Sequence, residues 1–216
     1  MDCLEPPSVV VSAFLPENFL NKSVNEPFIQ RIMGITFERD NWIQGDANKF
    51  EPDYFCDGVP FEFTIASDRK RKNNFVQRFR SGRYTSENIE QDFFQYISES
   101  VKEKLGKRYS VTNIHLCVLC LMNLTCWVND EYGSYLHCTL DHNREEMFAW
   151  IKEQCIDSCK FKNVFVIFPD MYATWWVWDV KTDHRASISF DPQYMLKMNY
   201  PFWLEKSKFD LLLSDC

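Results

Sequence analysis

The sequence predicts an α/β fold in which helices flank a mixed β-sheet, with residues 1–216 forming a single domain. Three observations favour this class. Apolar residues alternate around a tight turn at 50–66, and they recur every fourth position at 86–105. Continuous apolar runs follow at about 112–122 and 163–168, as in strands buried on both faces. A hairpin combined with strands separated by helices is typical of a mixed sheet.

The composition indicates a globular protein and argues against disordered and fibrous classes. Of the 216 residues, 45% are hydrophobic and 25% are charged, with a net charge of −7 and only 6 glycines. No apolar run reaches the roughly 18 residues that span a bilayer. The N-terminus, Met1 to Pro7, lacks the basic start and apolar stretch of a signal peptide. We therefore expect a cytoplasmic protein with no membrane segment.

The first predicted elements are a helix and a hairpin. The helix is expected over residues 23–33, capped by Ser23 or Asn25 and with Pro27 in its first turn. Between two alternating runs, Asp57-Gly58 predicts a two-residue type I′ turn.

Predicted helices and strands alternate along most of the rest of the chain. A helix over 86–105 is capped by Ser86, ends at Gly106 and carries lysines near its negative end. The remaining predicted elements are a strand at about 112–122, a helix at about 142–157, strands at 163–168 and 174–180, and a short C-terminal helix from Phe202 to Leu213. Residues 160–216 are thus expected to complete the sheet.

The hairpin places carboxylates on one strand face. Counting outward from the turn pairs Asp53 with Glu62 and Glu51 with Thr64, so these four residues share a face. Directly opposed residues have Cβ atoms roughly 5 Å apart, and two carboxylates in such a pair repel each other. If buried, they need a shared proton, an Arg or Lys, or a divalent cation, and hard oxygen ligands suit Mg²⁺ or Mn²⁺. The alternative is a solvated strand face with no role.

These residues carry a resemblance to a known family. Pro52-Asp53, eight further residues and then Glu62-Phe63-Thr64 resemble the signature of the PD-(D/E)XK nuclease superfamily. The resemblance covers residues 52–64 in motif and about 20–125 in organisation. It implies a restriction-endonuclease-like fold and metal-dependent hydrolysis of phosphodiester bonds in DNA or RNA. It also implies that Asp53 and Glu62 bind Mg²⁺ or Mn²⁺.

The chain departs from the family at the motif lysine, whose position is occupied by Thr64. Threonine can hydrogen-bond the attacking water but supplies no positive charge. Either Lys70 or Lys72 supplies that charge, or the chain is a catalytically inactive module that binds nucleic acid or protein. The family often adds a glutamate from its first helix, which here implies Glu26 as a further metal ligand. Glu51 is another candidate ligand.

A basic segment follows the hairpin. Residues 67–84 carry a net charge of +6, so the rest of the chain, at −13, is acidic. Concentrated positive charge suits contact with a phosphate backbone. The predicted nucleic-acid contacts are Arg69, Arg71, Arg78, Arg80 and Arg83. The alternative is a solvated connector that docks on the acidic remainder.

A tryptophan-rich strand is the last notable pattern. Trp175 and Val177 should point to one side, and Trp176 and Trp178 to the other. One side is expected in the core, and the other is a candidate surface for a protein partner. The sequence leaves the oligomeric state open.

Overall fold

The computed structural model describes residues 11–14, 16, 19–66, 89–120, 160–169 and 173–205, together with positions 149, 153, 210–212 and 214. The basic segment at 67–84 and the predicted cap Ser86 lie outside the described residues. The helix predicted at 142–157 also lies outside them, except for positions 149 and 153, which are helical.

A seven-stranded mixed sheet forms the centre of the molecule, and it confirms the predicted mixed α/β class. The strand order is β2-β3-β4-β5-β6-β7-β8. Strands β4, β5 and β6 are parallel to one another, and all other neighbours are antiparallel. The strands are β2 (Trp42–Gln44), β3 (Tyr54–Cys56), β4 (Val59–Ala66), β5 (Ile114–Cys120), β6 (Phe161–Pro169), β7 (Thr174–Asp179) and β8 (His184–Ser189).

Three α-helices of six or more described residues and a second, two-stranded sheet also occur in the described part of the chain. The α-helices are α1 (Lys22–Phe37), α2 (Ile89–Gly106) and α3 (Pro192–Lys197), and a 3-10 turn covers Ala47–Lys49. In the small sheet β1 (Val11–Phe14) pairs antiparallel with β9 (Phe202–Glu205). No helix among the described residues is both long and apolar enough to cross a membrane.

Helix α1 is longer than predicted, and its start differs. Asn21 is the N-cap residue, so the predicted capping by Ser23 or Asn25 is wrong. Asn25 is instead buried within the helix, where its side-chain amide donates to the Asn21 carbonyl at 2.8 Å. Pro27 lies inside the helix rather than in its first turn. The helix extends to Phe37 and ends where Glu38 adopts a left-handed conformation.

The hairpin register is confirmed. Tyr54 pairs with Phe61, and Asp57 and Gly58 both have positive φ, as a type I′ turn requires. Strand β3 begins only at Tyr54, so the predicted opposition of Glu51 and Thr64 is wrong. Glu51 instead accepts a hydrogen bond from the Asp46 N–H at 2.8 Å, within the loop that precedes β3.

The two faces of the sheet are covered by different helices. On one face the Phe37 ring of α1 packs against Phe61, His115 and Phe165, with ring centroids 5.3 to 5.8 Å apart. The opposite face carries Glu62, since side chains alternate along a strand. The C-terminal half of α2 covers that face. This arrangement brings the last turn of α2 over the predicted carboxylates.

The tryptophan-rich strand is interior, because β7 lies between β6 and β8. Trp175 and Trp178 point to opposite faces and are both buried, while Trp176 is half-buried. Both faces of β7 are therefore covered, and a partner surface on this strand would depend on Trp176.

The C-terminal region differs from its prediction. Residues 202–205 form strand β9, so a helix beginning at Phe202 is wrong, although residues 210–212 and 214 are helical. Strand β8 and helix α3 had no counterpart in the predicted order.

Candidate functional site

The site lies at the outer edge of β4, next to the point where its neighbour β3 begins at Tyr54. Side chains can reach that edge of β4. Beyond Phe61, no described strand pairs with the outer edge of β4. Asp53 takes that place: its Oδ2 accepts a hydrogen bond from the Phe63 N–H at 2.9 Å. In turn, the Asp53 N–H donates to Glu62 Oε2 at 3.2 Å. The sheet edge therefore fixes both carboxylates side by side.

Lys104 supplies a positive charge between these two carboxylates. It projects from the last turn of α2, and its side chain is only 5% exposed. Its ammonium binds Glu62 Oε1 and lies 3.6 Å from Asp53 Oδ2. One compact cation thus contacts both carboxylates, which converge on a common point.

Two further lysines approach the carboxylates from the solvent side. Lys107 Nζ lies 2.7 Å from Glu62 Oε1, and its side chain is 44% exposed. Lys22 Nζ lies 3.1 Å from Asp53 Oδ1 and 3.1 Å from Glu26 Oε1, and its side chain is 69% exposed. In total, three lysines neutralise three carboxylates.

Glu26 connects α1 to this cluster. It is nearly buried, and its Oε2 accepts a hydrogen bond from the Tyr54 hydroxyl at 2.8 Å. Burial, followed by the contact with Glu26, raises the pKa of Tyr54 to about 12. Tyr54 therefore stays a hydrogen-bond donor at neutral pH and holds Glu26 toward Lys22.

The end of α2 is anchored from the start of β6. The ammonium of Lys160 donates to the carbonyl oxygens of Leu105 and Lys107, the latter at 2.9 Å. The carbonyls at a helix C-terminus have no partner within the helix, so a lysine there satisfies them and offsets the negative end of the helix dipole. Lys160 thereby holds the segment that carries Lys104 and Lys107.

The pKa values reflect competition between burial and charge. Burial raises the pKa of Asp53, but Lys104, the Phe63 N–H and Lys22 outweigh it, and the net pKa is lowered. Burial lowers the pKa of Lys104 more than Asp53 and Glu62 raise it, so the net pKa is lowered. For exposed Lys22 the contacts with Asp53 and Glu26 outweigh desolvation and raise the pKa to about 12.

A cavity opens beside the cluster. Its volume is about 400 Å³, and its lining includes Lys22, Glu26, Thr64, Lys104 and Lys107. Thr64 follows Glu62 by two residues on the same face of β4 and is buried against this cavity. The lining combines three lysines and Thr64 with two glutamates, Glu26 and Glu103.

The structure brings together four of the predicted site residues: Asp53, Glu62, Thr64 and Glu26. It places Glu51 apart from them, on the Asp46 amide. Lys70 and Lys72 lie outside the described residues, as do the five predicted nucleic-acid contacts Arg69, Arg71, Arg78, Arg80 and Arg83.

The sequence reasoning missed Lys104, Lys107, Lys22 and Tyr109. Burial and the nearby carboxylates of Glu62 and Asp53 raise the pKa of Tyr109, which adds a neutral hydroxyl to the cluster. A signal for Lys104 was present in the helix pattern. It follows Ile97 and Val101 at helical spacing, so it falls on the apolar, buried stripe of α2. A lysine at such a position needs a buried partner.

The donor set suits a hard divalent cation. Mg²⁺ commonly uses one or two carboxylates and completes its coordination with water and phosphate oxygens. Asp53 and Glu62 supply two carboxylates that already share one cationic group, the Lys104 ammonium. No group of three His, Cys, Asp or Glu residues in the described ranges is arranged to hold a metal ion. Glu26 contacts Lys22 and the Tyr54 hydroxyl in this cluster.

Known proteins offer no direct guide to this site. Comparison with protein-family models, with curated proteins and with solved structures finds no significant match to this chain.

Proposed function

We propose that this chain is a metal-dependent nuclease that hydrolyses phosphodiester bonds in DNA or RNA, on a restriction-endonuclease-like fold. The observation that carries the proposal is the position of Lys104. Its buried ammonium lies against both Asp53 and Glu62, although it comes from α2 rather than from the hairpin. It supplies the positive charge that Thr64 cannot, so the site contains two carboxylates and a lysine.

Each residue has a role under this proposal. Asp53 and Glu62 would hold Mg²⁺ or Mn²⁺, which when bound neutralises phosphate charge and lowers the pKa of an attacking water. Lys104 would stabilise the negative charge that develops on the phosphoryl oxygens. The Thr64 hydroxyl would orient the water. Arg residues of the basic segment at 67–84 would contact the nucleic-acid backbone.

Cleavage of single- and double-stranded DNA and RNA in the presence of Mg²⁺ or Mn²⁺ tests this function. We expect Asp53→Asn, Glu62→Gln and Lys104→Met each to lower the cleavage rate by about 10²-fold or more, because each removes charge that acts on the transition state. Lys102→Met is the matched control, since Lys102 is exposed on the same helix. Cleavage that persists unchanged in the three site variants would refute this site, whether the activity comes from elsewhere in the chain or from a contaminating nuclease.

One observation favours a second function, a catalytically inactive module that binds nucleic acid or protein. All four carboxylate oxygens of Asp53 and Glu62 already accept hydrogen bonds or ion pairs from the protein. A site neutralised by its own lysines could serve only to stabilise the fold. Wild-type protein that cleaves none of the four nucleic acids, yet binds them, would support this function.

A further inference from the structure

The three lysines of the cluster differ in how firmly they are held. The side chain of Lys104 is buried and extends from α2 toward β4. Lys22 and Lys107 lie on the solvent side of the carboxylates, and their side chains are 69% and 44% exposed. Because their ammonium groups reach water, Lys22 and Lys107 can exchange partners more readily than Lys104, although the Asp53 and Glu62 carboxylates that they bind are largely buried.

These two outer lysines occupy the oxygens that a divalent cation would need. Lys22 binds Asp53 Oδ1, and Lys107 binds Glu62 Oε1. The other two oxygens accept from the backbone N–H groups of Phe63 and Asp53, which are fixed by the hairpin. Glu62 Oε1 also accepts from Lys104, so access for a cation requires Lys22 to leave Asp53 Oδ1 and Lys107 to leave Glu62 Oε1 while Lys104 stays in place.

The cavity offers these lysines an alternative partner. Lys22, Lys104 and Lys107 all line it. A phosphate group there would present oxygen acceptors carrying negative charge, and lysine donates strong charge-assisted hydrogen bonds to phosphate. The movement required is confined to the ends of two long side chains.

We propose that Lys22 and Lys107 are exchangeable counterions: they neutralise Asp53 and Glu62 in the free protein and transfer to the substrate phosphate when it binds. The inference rests on the proposed function, because it assigns the metal to Asp53 and Glu62. Its consequence is positive coupling, in which nucleic acid strengthens metal binding and metal strengthens nucleic-acid binding by the same factor. The free protein would bind metal weakly for as long as Lys22 and Lys107 occupy the two carboxylates.

Calorimetric titration of Ca²⁺, another hard cation that binds carboxylate oxygens, tests the coupling. Titrations are made with the full chain, alone and with short DNA or RNA oligonucleotides, after subtracting Ca²⁺ binding to each oligonucleotide. We expect at least one oligonucleotide to tighten Ca²⁺ binding to the wild type by about tenfold. In the double variant Lys22→Met/Lys107→Met, Ca²⁺ should bind about tenfold more tightly without oligonucleotide, and the oligonucleotide should add little.

A double variant with the same loss of charge is the control. Lys49→Met/Lys102→Met removes two exposed lysines away from the carboxylates, and its Ca²⁺ affinity should match the wild type. The single variants Lys22→Gln and Lys107→Gln give the same comparison if the double variant does not fold. Equal Ca²⁺ affinity of the wild type and all lysine variants would overturn the inference.

The outcome also separates this inference from the proposed function. Tighter Ca²⁺ binding in the Lys22 and Lys107 variants of a protein that cleaves no nucleic acid would support the counterion role and refute the nuclease. Cleavage by the wild type, combined with unchanged Ca²⁺ affinity in those variants, would refute the counterion role alone.

Discussion

Lys104 and Glu62 are 42 residues apart in the chain, and their side chains form an ion pair with exposed fractions of only 5% and 1%. This pair joins the end of α2 to the edge of the sheet. Buried charges are tolerated only when each finds a partner, so the two residues depend on one another.

Removing the lysine should therefore destabilise the fold. We expect Lys104→Met to lower the free energy of unfolding by about 3 kcal/mol, because Glu62 is left buried with fewer counterions. Lys102→Met, on the exposed side of the same helix, should change it by less than about 0.5 kcal/mol. Urea denaturation of the two variants measures the difference, and equal effects would contradict a buried ion pair.

Asp53 should make the fold sensitive to acid. Its lowered pKa means that the unfolded chain takes up a proton at a higher pH than the folded protein. The stabilisation is complete above the pKa of the unfolded chain, about 4, and is lost as pH falls through the lower pKa of the folded state. Denaturation of wild type and Asp53→Asn across this range should show a steeper loss for the wild type. Asp210→Asn, at an exposed position, is the control. If stability falls with pH as steeply in Asp53→Asn as in the wild type, Asp53 is not the source of the acid sensitivity.

His115 should add a second pH dependence in a different window. Burial lowers its pKa to about 4, and its ring stacks between Phe61 and Phe165. Between pH 6.5 and 4 the unfolded chain binds a proton that the folded protein excludes, so stability should fall as pH falls through this window.

The variant His115→Phe tests that interpretation. It keeps an aromatic ring in the stack, and His115 Nδ1 has no hydrogen-bond partner among the described atoms that would be lost. The pH dependence of unfolding between 6.5 and 4 should become flatter in this variant. The same slope in both proteins would assign the acid sensitivity to other groups.

The turn of the hairpin gives a prediction about backbone strain. Gly58 has a φ of +79°, and a Cβ added there would meet no atom within 4 Å. Gly58→Ala should therefore lower the free energy of unfolding by about 1 kcal/mol through backbone conformation alone. Gly106→Ala, equally uncrowded and at the end of α2, should be neutral or stabilising. Thermal unfolding of both variants measures the two changes in stability. Equal changes in Gly58→Ala and Gly106→Ala would contradict backbone strain at Gly58.

The sequence was most informative where local rules decide the structure. Asp57-Gly58 determined the turn, and the turn determined the pairing of Tyr54 with Phe61. The prediction from the sequence was wrong at Glu51. The Glu51 carboxylate accepts a hydrogen bond from the Asp46 N–H in the loop, and the residue does not extend the pairing of β3 with β4. Strand periodicity carries no information about where such a loop begins.

The site itself was only half predictable. Asp53 and Glu62 lie nine residues apart and are related by one turn, so counting along the hairpin brought them together. Lys104 reaches them through the packing of α2 on β4, a long-range contact that no local pattern specifies. Lys70 and Lys72 lie outside the described residues, whereas Lys104 belongs to the buried stripe of α2.

The anchoring of α2 by Lys160 has a consequence for truncated forms of the chain. Every residue assigned to the cluster precedes position 110, yet the lysine that holds the end of α2 belongs to the entry into β6. Strand β5, buried along its whole length, also needs β6 as its second neighbour. A fragment released after residue 125 would carry all the chemistry and lack the support that aligns it. During synthesis, this support is complete only after Lys160 and β6 have emerged.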